Sequence, residues 1–75
     1  MINSKTVLVF KTNVRQEEDL KILKPVFEQQ REVLKWSVDM DDEDKVLRIE
    51  TRTLPAKKIE SLVLEAGFNC IELPD

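Results

Sequence analysis

Three groups of residues in this 75-residue chain have the types and spacing to do chemistry. One is Lys11-Thr12-Asn13-Val14-Arg15-Gln16, where two carboxamides stand three residues apart among two cations. Another is the acidic run Asp39, Asp41, Asp42, Glu43 and Asp44. The last is Cys70, the only cysteine in a chain without histidine. That scarcity bounds the rest. A lone thiol excludes an internal disulfide. A soft-metal site normally draws two or more thiolates or imidazoles from one chain, and only one such group exists here. Histidine, the usual acid–base residue near neutral pH, is missing. With no plausible nucleophile–base pair and a single glycine, Gly67, there is little from which to build an active site. No enzyme and no cofactor are expected.

Each group also has a structural reading. Asn13 followed three residues later by Gln16 makes a capping-box pattern at a helix start. Lys11 and Arg15 beside that helix end could instead hold a small anion, but Glu17, Glu18 and Asp19 already supply negative charge there. The acidic run lacks the glycine and distal glutamate of an EF-hand loop and reads as a solvated turn, with Lys45 offsetting part of its charge. Cys70, close to Phe68 in an apolar run, reads as a small core residue.

These residues need elements to position them. Thr6-Val7-Leu8-Val9-Phe10 is β-branched and apolar, as in a buried strand. Leu20, Leu23 and Phe27, flanked by Ile22 and Val26, form one face of a helix over about 14–30, which Pro25 should kink or divide near Lys24. Leu34 to Met40 alternates strictly, Asp41–Asp44 is a polar turn, and Val46 to Thr51 is a further strand, so 34–52 reads as a β-hairpin. Leu54-Pro55-Ala56 opens a second helix with Pro55 in its first turn. Its apolar face is Ile59, Leu62, Val63 and Ala66, and Gly67 is placed to stop it. Phe68 to Leu73 is the final strand. The order βαββαβ predicts an α+β, ferredoxin-like fold in one domain, 1–75, with a four-stranded antiparallel sheet and both helices on one face.

With these elements in order, the chain resembles the heavy-metal-associated (HMA) domains, the small copper and zinc chaperones and the metal-binding domains of metal-pumping ATPases. The resemblance spans about 6–73. Lys11-Thr12-Asn13-Val14-Arg15-Gln16 aligns with the family's Met-Thr-Cys-x-x-Cys. Val33-x-x-Trp36-x-Val38-Asp39-Met40 follows its V-x-x-V-x-V-D-L, Leu47-Arg48-Ile49-Glu50 its third strand, and Ile59 through Ala66-Gly67-Phe68 its second helix and the aromatic beyond. The first helix is longer than usual, and Pro25 is atypical. The resemblance implies a soft-cation site at the positions of Asn13 and Gln16, with Lys11, Thr12, Arg15 and Phe68 around it. Carboxamide oxygen is a weak, hard ligand that cannot replace thiolate toward Cu(I) or Zn²⁺, and Lys11 and Arg15 add repulsion. The chain therefore reads as a degenerate member lacking the MxCxxC motif, with no metal residues, acting through protein contacts. The alternative is a residual heavy-metal carrier whose ligands come from Cys70, the acidic turn or a partner.

The remaining surface offers one further lead. If Leu8, Phe10, Leu47 and Ile49 face the helices, then Val7, Val9, Val46, Ile71 and Leu73 face outward. Val7, Val9, Ile71 and Leu73 would then form an exposed apolar patch on neighbouring strands, a candidate interface. A one-residue slip of the last strand would exchange its faces. The second strand, at a sheet edge, offers another route to self-association. The expected partner is an unknown protein or a second copy. Net charge is −3 with both signs interspersed, so no basic patch invites nucleic acid or an anionic membrane surface. Met1-Ile2-Asn3-Ser4-Lys5 has no leader signature and no apolar run approaches a membrane span, so a cytoplasmic location is expected.

Overall fold

The computed structural model describes residues 5–74; Met1–Ser4, on which the expectation about a leader rests, lie outside them. The elements are β1 (Thr6–Thr12), α1 (Glu17–Glu28), β2 (Val33–Asp39), β3 (Val46–Thr51), α2 (Ala56–Glu65) and β4 (Cys70–Glu72). The strands form one antiparallel sheet in the order β2-β3-β1-β4, the ferredoxin-like arrangement the pattern predicts. Phe10, Leu47 and Ile49 from the sheet meet Leu23 and Phe27 from α1 and Ile59 and Val63 from α2 in one buried cluster. Both helices therefore cover the same face. Trp36, Val38 and Met40 pack at the margin of that cluster, with the Trp36 ring tilted 52° against Phe27 at a centroid distance of 5.0 Å, a favourable aromatic geometry.

Several boundaries differ from expectation. Helix α1 begins at Glu17, capped by Gln16 rather than Asn13. The Asp19 carboxylate accepts the backbone N–H of Arg15 at 2.9 Å and of Gln16 at 3.4 Å, so the acid of the first turn takes the orphan donors. Val14, read as helical, is instead a fully buried loop residue in the core. Pro25 neither divides nor ends the helix, which runs on to Glu28. Lys21, whose carbonyl loses its donor at this proline, is exposed, so water can replace that donor. Pro55 stands at the N-cap of α2 rather than within its first turn.

Gly67 closes α2 as expected. Its φ is +102°, and Phe68 N–H donates to Val63 O at 3.1 Å while Gly67 N–H donates to Leu64 O at 3.0 Å. Those two bonds make a Schellman stop, which needs a left-handed residue at this position. The final strand is shorter than the predicted Phe68–Leu73, although Leu73 N–H still reaches Val9 O at 2.8 Å. Among the described residues no helix is long and apolar enough to cross a membrane.

Candidate functional site

The junction after β1 lies at one end of the sheet, where three loops meet. Thr12 ties it to the β2–β3 turn: its N–H donates to Asp44 O at 3.1 Å, and its Oγ1 donates to Lys45 O at 2.7 Å while accepting Val14 N–H at 3.3 Å. Asn13 ties it to the α2–β4 loop, its Oδ1 accepting the Asn69 N–H at 2.7 Å. The residue that the resemblance would set at a metal cysteine is thus a clamp between segments 56 positions apart. Gln16, the other aligned position, is the exposed residue before α1. Phe68 is half-buried against the core.

The electrostatics differ from the expectation of two bare cations. Lys11 Nζ lies 3.6 Å from Asp44 Oδ1, with both side chains about half exposed. That pair contributes little stability but offsets the lysine charge. Arg15 is exposed.

Cys70 sits closer to this end than its sequence position suggests, because it pairs with Thr12 across the β1–β4 ladder. Its side chain nevertheless belongs to the core cluster, with 6% of the residue exposed. Burial, with a smaller contribution from the Glu60 carboxylate, pushes its thiol from 9.0 up to about 12. A metal ligand must be the thiolate, and this site disfavours it. Asn13 oxygen is engaged with Asn69, Gln16 offers only an amide, and Cys70 is held as a buried thiol. This donor set does not fit a soft cation.

The acidic turn is likewise committed to its own backbone. Asp39 Oδ1 accepts the Asp41 N–H at 3.1 Å, Asp42 Oδ1 accepts the Asp44 N–H at 2.8 Å, and Lys45 Nζ donates to Met40 O at 2.7 Å. Lys45 itself adopts φ 46°. Among the described residues no three histidine, cysteine, aspartate or glutamate side chains converge as a metal site would require.

The open face of the sheet has two halves. Val7 and Val9 on β1 stand beside Ile71 on β4 and Leu73 just beyond it. Ile71 is 62% and Val7 39% exposed, whereas Val9, Leu73 and Val46 are half-buried. Cys70 is buried and Ile71 exposed, so the last strand has not slipped. Lys11 stands opposite Ile71 on the same face, and Val46 lies beyond Arg48 toward the acidic turn. The β2–β3 half is polar: Lys35 faces Glu50, Ser37 faces Arg48 and Asp39 faces Val46. Lys5 Nζ meets Glu50 Oε1 at 2.9 Å, next to Val7, whose cross-strand partner is Glu50.

Sequence reasoning missed Asp19 as the cap acceptor, although its place three residues after Gln16 is a readable signal. It also missed Asn69 and the buried role of Thr12, for which no local pattern exists.

No family model matches the sequence, and no curated protein sequence matches it. Solved structures do match in fold. The apo HMA domain of the copper chaperone for superoxide dismutase superposes with a TM-score of 0.79 at 15% identity, over 95% of this chain and 69% of that one. The copper(I)-loaded first domain of the human copper chaperone for SOD1, CCS, gives 0.78 at 17% identity, over 93% and 94%. The N-terminal domain of ZntA in its apo form gives 0.75 at 16% identity, over 95% and 96%. At these identities the likeness is one of fold, and the chain has the HMA-like fold.

Proposed function

We propose that this is a non-catalytic cytoplasmic domain of the HMA type that has given up the two-cysteine metal site and acts by binding protein. One observation carries the reading: the Asn13 side chain, at the position of a metal ligand, is spent on the Asn69 N–H at 2.7 Å. The likeness in fold to HMA domains, one of them copper(I)-loaded, supports the type of scaffold, and the donor set opposes soft-metal chemistry. A buried thiol held near 12 and carboxylates already accepting turn N–H groups argue against a residual carrier. The apolar half of the open face, Val7, Val9, Ile71 and Leu73, with Val46 beyond Arg48, supplies the contact surface.

The test is a competition titration with Cu(I) and with Zn²⁺ against chelators of known affinity. The expected result is no uptake in competition. Stoichiometric uptake at sub-micromolar free metal overturns the proposal and restores the carrier.

A further inference from the structure

The two edges of the sheet are treated differently, and the difference names a partner. Leu73 N–H donates to Val9 O, so along β1 the backbone groups of Val9 and Lys11 point to β4 and those of Leu8 and Phe10 point to β3, because an antiparallel ladder alternates. Their partners Ile49 and Leu47 are therefore spent on β1. Glu50 and Arg48 then turn to β2, where they meet Lys35 and Ser37. By the same alternation, Glu72 N–H points out of the β4 edge, and Trp36 and Val38 direct their N–H and C=O groups out of the β2 edge.

The β4 edge is short, three residues, and its outward Glu72 N–H is plugged by Glu60 Oε2 from α2 at 3.0 Å. Plugging of this kind blunts an edge against pairing. On β2, a bulge between Val33 and Lys35 confines the regular free edge to Lys35–Asp39, with Pro absent and no side-chain plug among the described contacts. Trp36 and Val38, on the helix side, remain only partly buried there.

We infer that this edge is built to pair with the β2 edge of a second copy, antiparallel about a two-fold axis at Ser37. The edge is self-complementary. In this register Trp36 and Val38 of one copy exchange backbone hydrogen bonds with Val38 and Trp36 of the other, and Ser37 faces its own mate. Lys35 then lies opposite Asp39 of the second copy, twice by symmetry. Opposite charges directly across a ladder favour pairing, and like charges oppose it. Moving the axis to Trp36 sets Lys35 against Ser37 and Asp39 against Val33, and both ion pairs are lost. Lys35 is exposed and in no ion pair among the described residues, because its intrachain neighbour Glu50 is taken by Lys5. The two half-covered rows of Trp36 and Val38 would close over each other on the helix side. The inference rests on the reading of the domain as a protein-binding one and selects the β2 edge, not the apolar open face, as the contact between copies.

Sedimentation equilibrium of the full chain across a range of concentrations should show a monomer–dimer equilibrium. Lys35→Asp, at an exposed site, should shift the mass to that of one chain. Asp39→Lys should do the same, and a one-to-one mixture of the two variants should regain the dimer, because both oppositely charged pairs then re-form. Asp39 also accepts a turn N–H, so Lys35→Asp carries the test if Asp39→Lys does not fold. Amide exchange gives a separate readout. Protection of Trp36 and Val38 should rise with concentration, while Lys35 and Ser37, already bonded to β3, should not change. A chain that is monomeric throughout overturns the pairing. So does a dimer indifferent to Lys35→Asp and dissociated by Val9→Lys with Leu73→Lys, which would put the contact on the open face. Metal uptake is read by a different titration, so failure of this pairing and failure of the metal-site reading are separable.

Discussion

Thr12 offers a test of how the loop end is held. Its residue exposure is 6%, and its hydroxyl both donates to Lys45 O at 2.7 Å and accepts from the buried Val14 N–H at 3.3 Å. Thr12→Val keeps the shape and removes both bonds. A bare buried donor costs about 1–3 kcal/mol. The Lys45 carbonyl is only part-buried, so water recovers some of its loss, and the net expectation is about 2 kcal/mol. Thr12→Ser keeps both bonds and loses one methyl group, about 1 kcal/mol. A domain of this length has a total stability of roughly 4–11 kcal/mol, so the valine variant should melt about 8–16 °C below the parent. Urea denaturation monitored by Trp36 fluorescence gives the two values side by side. The order is the decisive result: valine must cost more than serine, although valine is the more apolar side chain at a buried position. A valine variant as stable as the serine variant, or more so, refutes the claim that Thr12 fastens the loop end by hydrogen bonding.

Further outcomes follow from other positions. Leu23→Ala, at a fully buried site in α1, should cost about 2–5 kcal/mol in the same denaturation assay; a near-zero cost would contradict the helix register. Gly67→Ala meets no atom within 4 Å of the new Cβ, so only the backbone at φ +102° resists it, and about 1–3 kcal/mol is expected. Cys70 should resist iodoacetamide in the native state at pH 8 and react on unfolding. Its thiol lies near 12 when folded against an ordinary 9.0. The folded pKa is the raised one, so the associated stability is fully present below pH 9 and is lost as pH rises toward 12. The Glu50 carboxyl, lowered first by its hydrogen bond from Lys5, should titrate below its ordinary 4.5 by NMR. The accompanying stabilisation is present above that value and fades as pH falls through the folded pKa. Lys5→Ala should move the titration back up.

Much of the fold was legible because local and global demands agree. The alternation from Lys35 to Met40 needs one wet and one dry face, whereas at the bulge Val33 packs on the core and Leu34, expected on the dry face, is 44% exposed; Gly67 fits the left-handed stop that only glycine takes without strain. The misread helix start has a physical cause. Asn13 is a good cap by local rules, but its oxygen is drawn to Asn69, and the Thr12 hydroxyl is drawn to Lys45, 33 positions away. With both residues committed to distant segments, the cap passes to Gln16 and Asp19, and Val14 drops into the core between them. No pattern within a window of a few residues contains those partners. The same limit hid the Glu60 plug on β4: a glutamate on an amphipathic helix looks like any solvated residue until its neighbour Glu72 is placed. By the register, Val7, Val9, Val46, Ile71 and Leu73 alternate onto the open face. Its charged half emerges only from the register that sets Lys35, Arg48 and Glu50 together.

On the proposed reading, carboxamides rather than thiols at positions 13 and 16 leave this scaffold without the two-cysteine metal chemistry. The most direct measurement is a Cu(I) competition titration of the natural chain in parallel with the Asn13→Cys, Gln16→Cys double variant. Two thiols beside the N-terminus of α1 would have lowered pKa values and form a soft-metal pair. The double variant should take up one Cu(I) while the natural chain takes up none in competition. Stoichiometric, high-affinity uptake by the natural chain would contradict that reading.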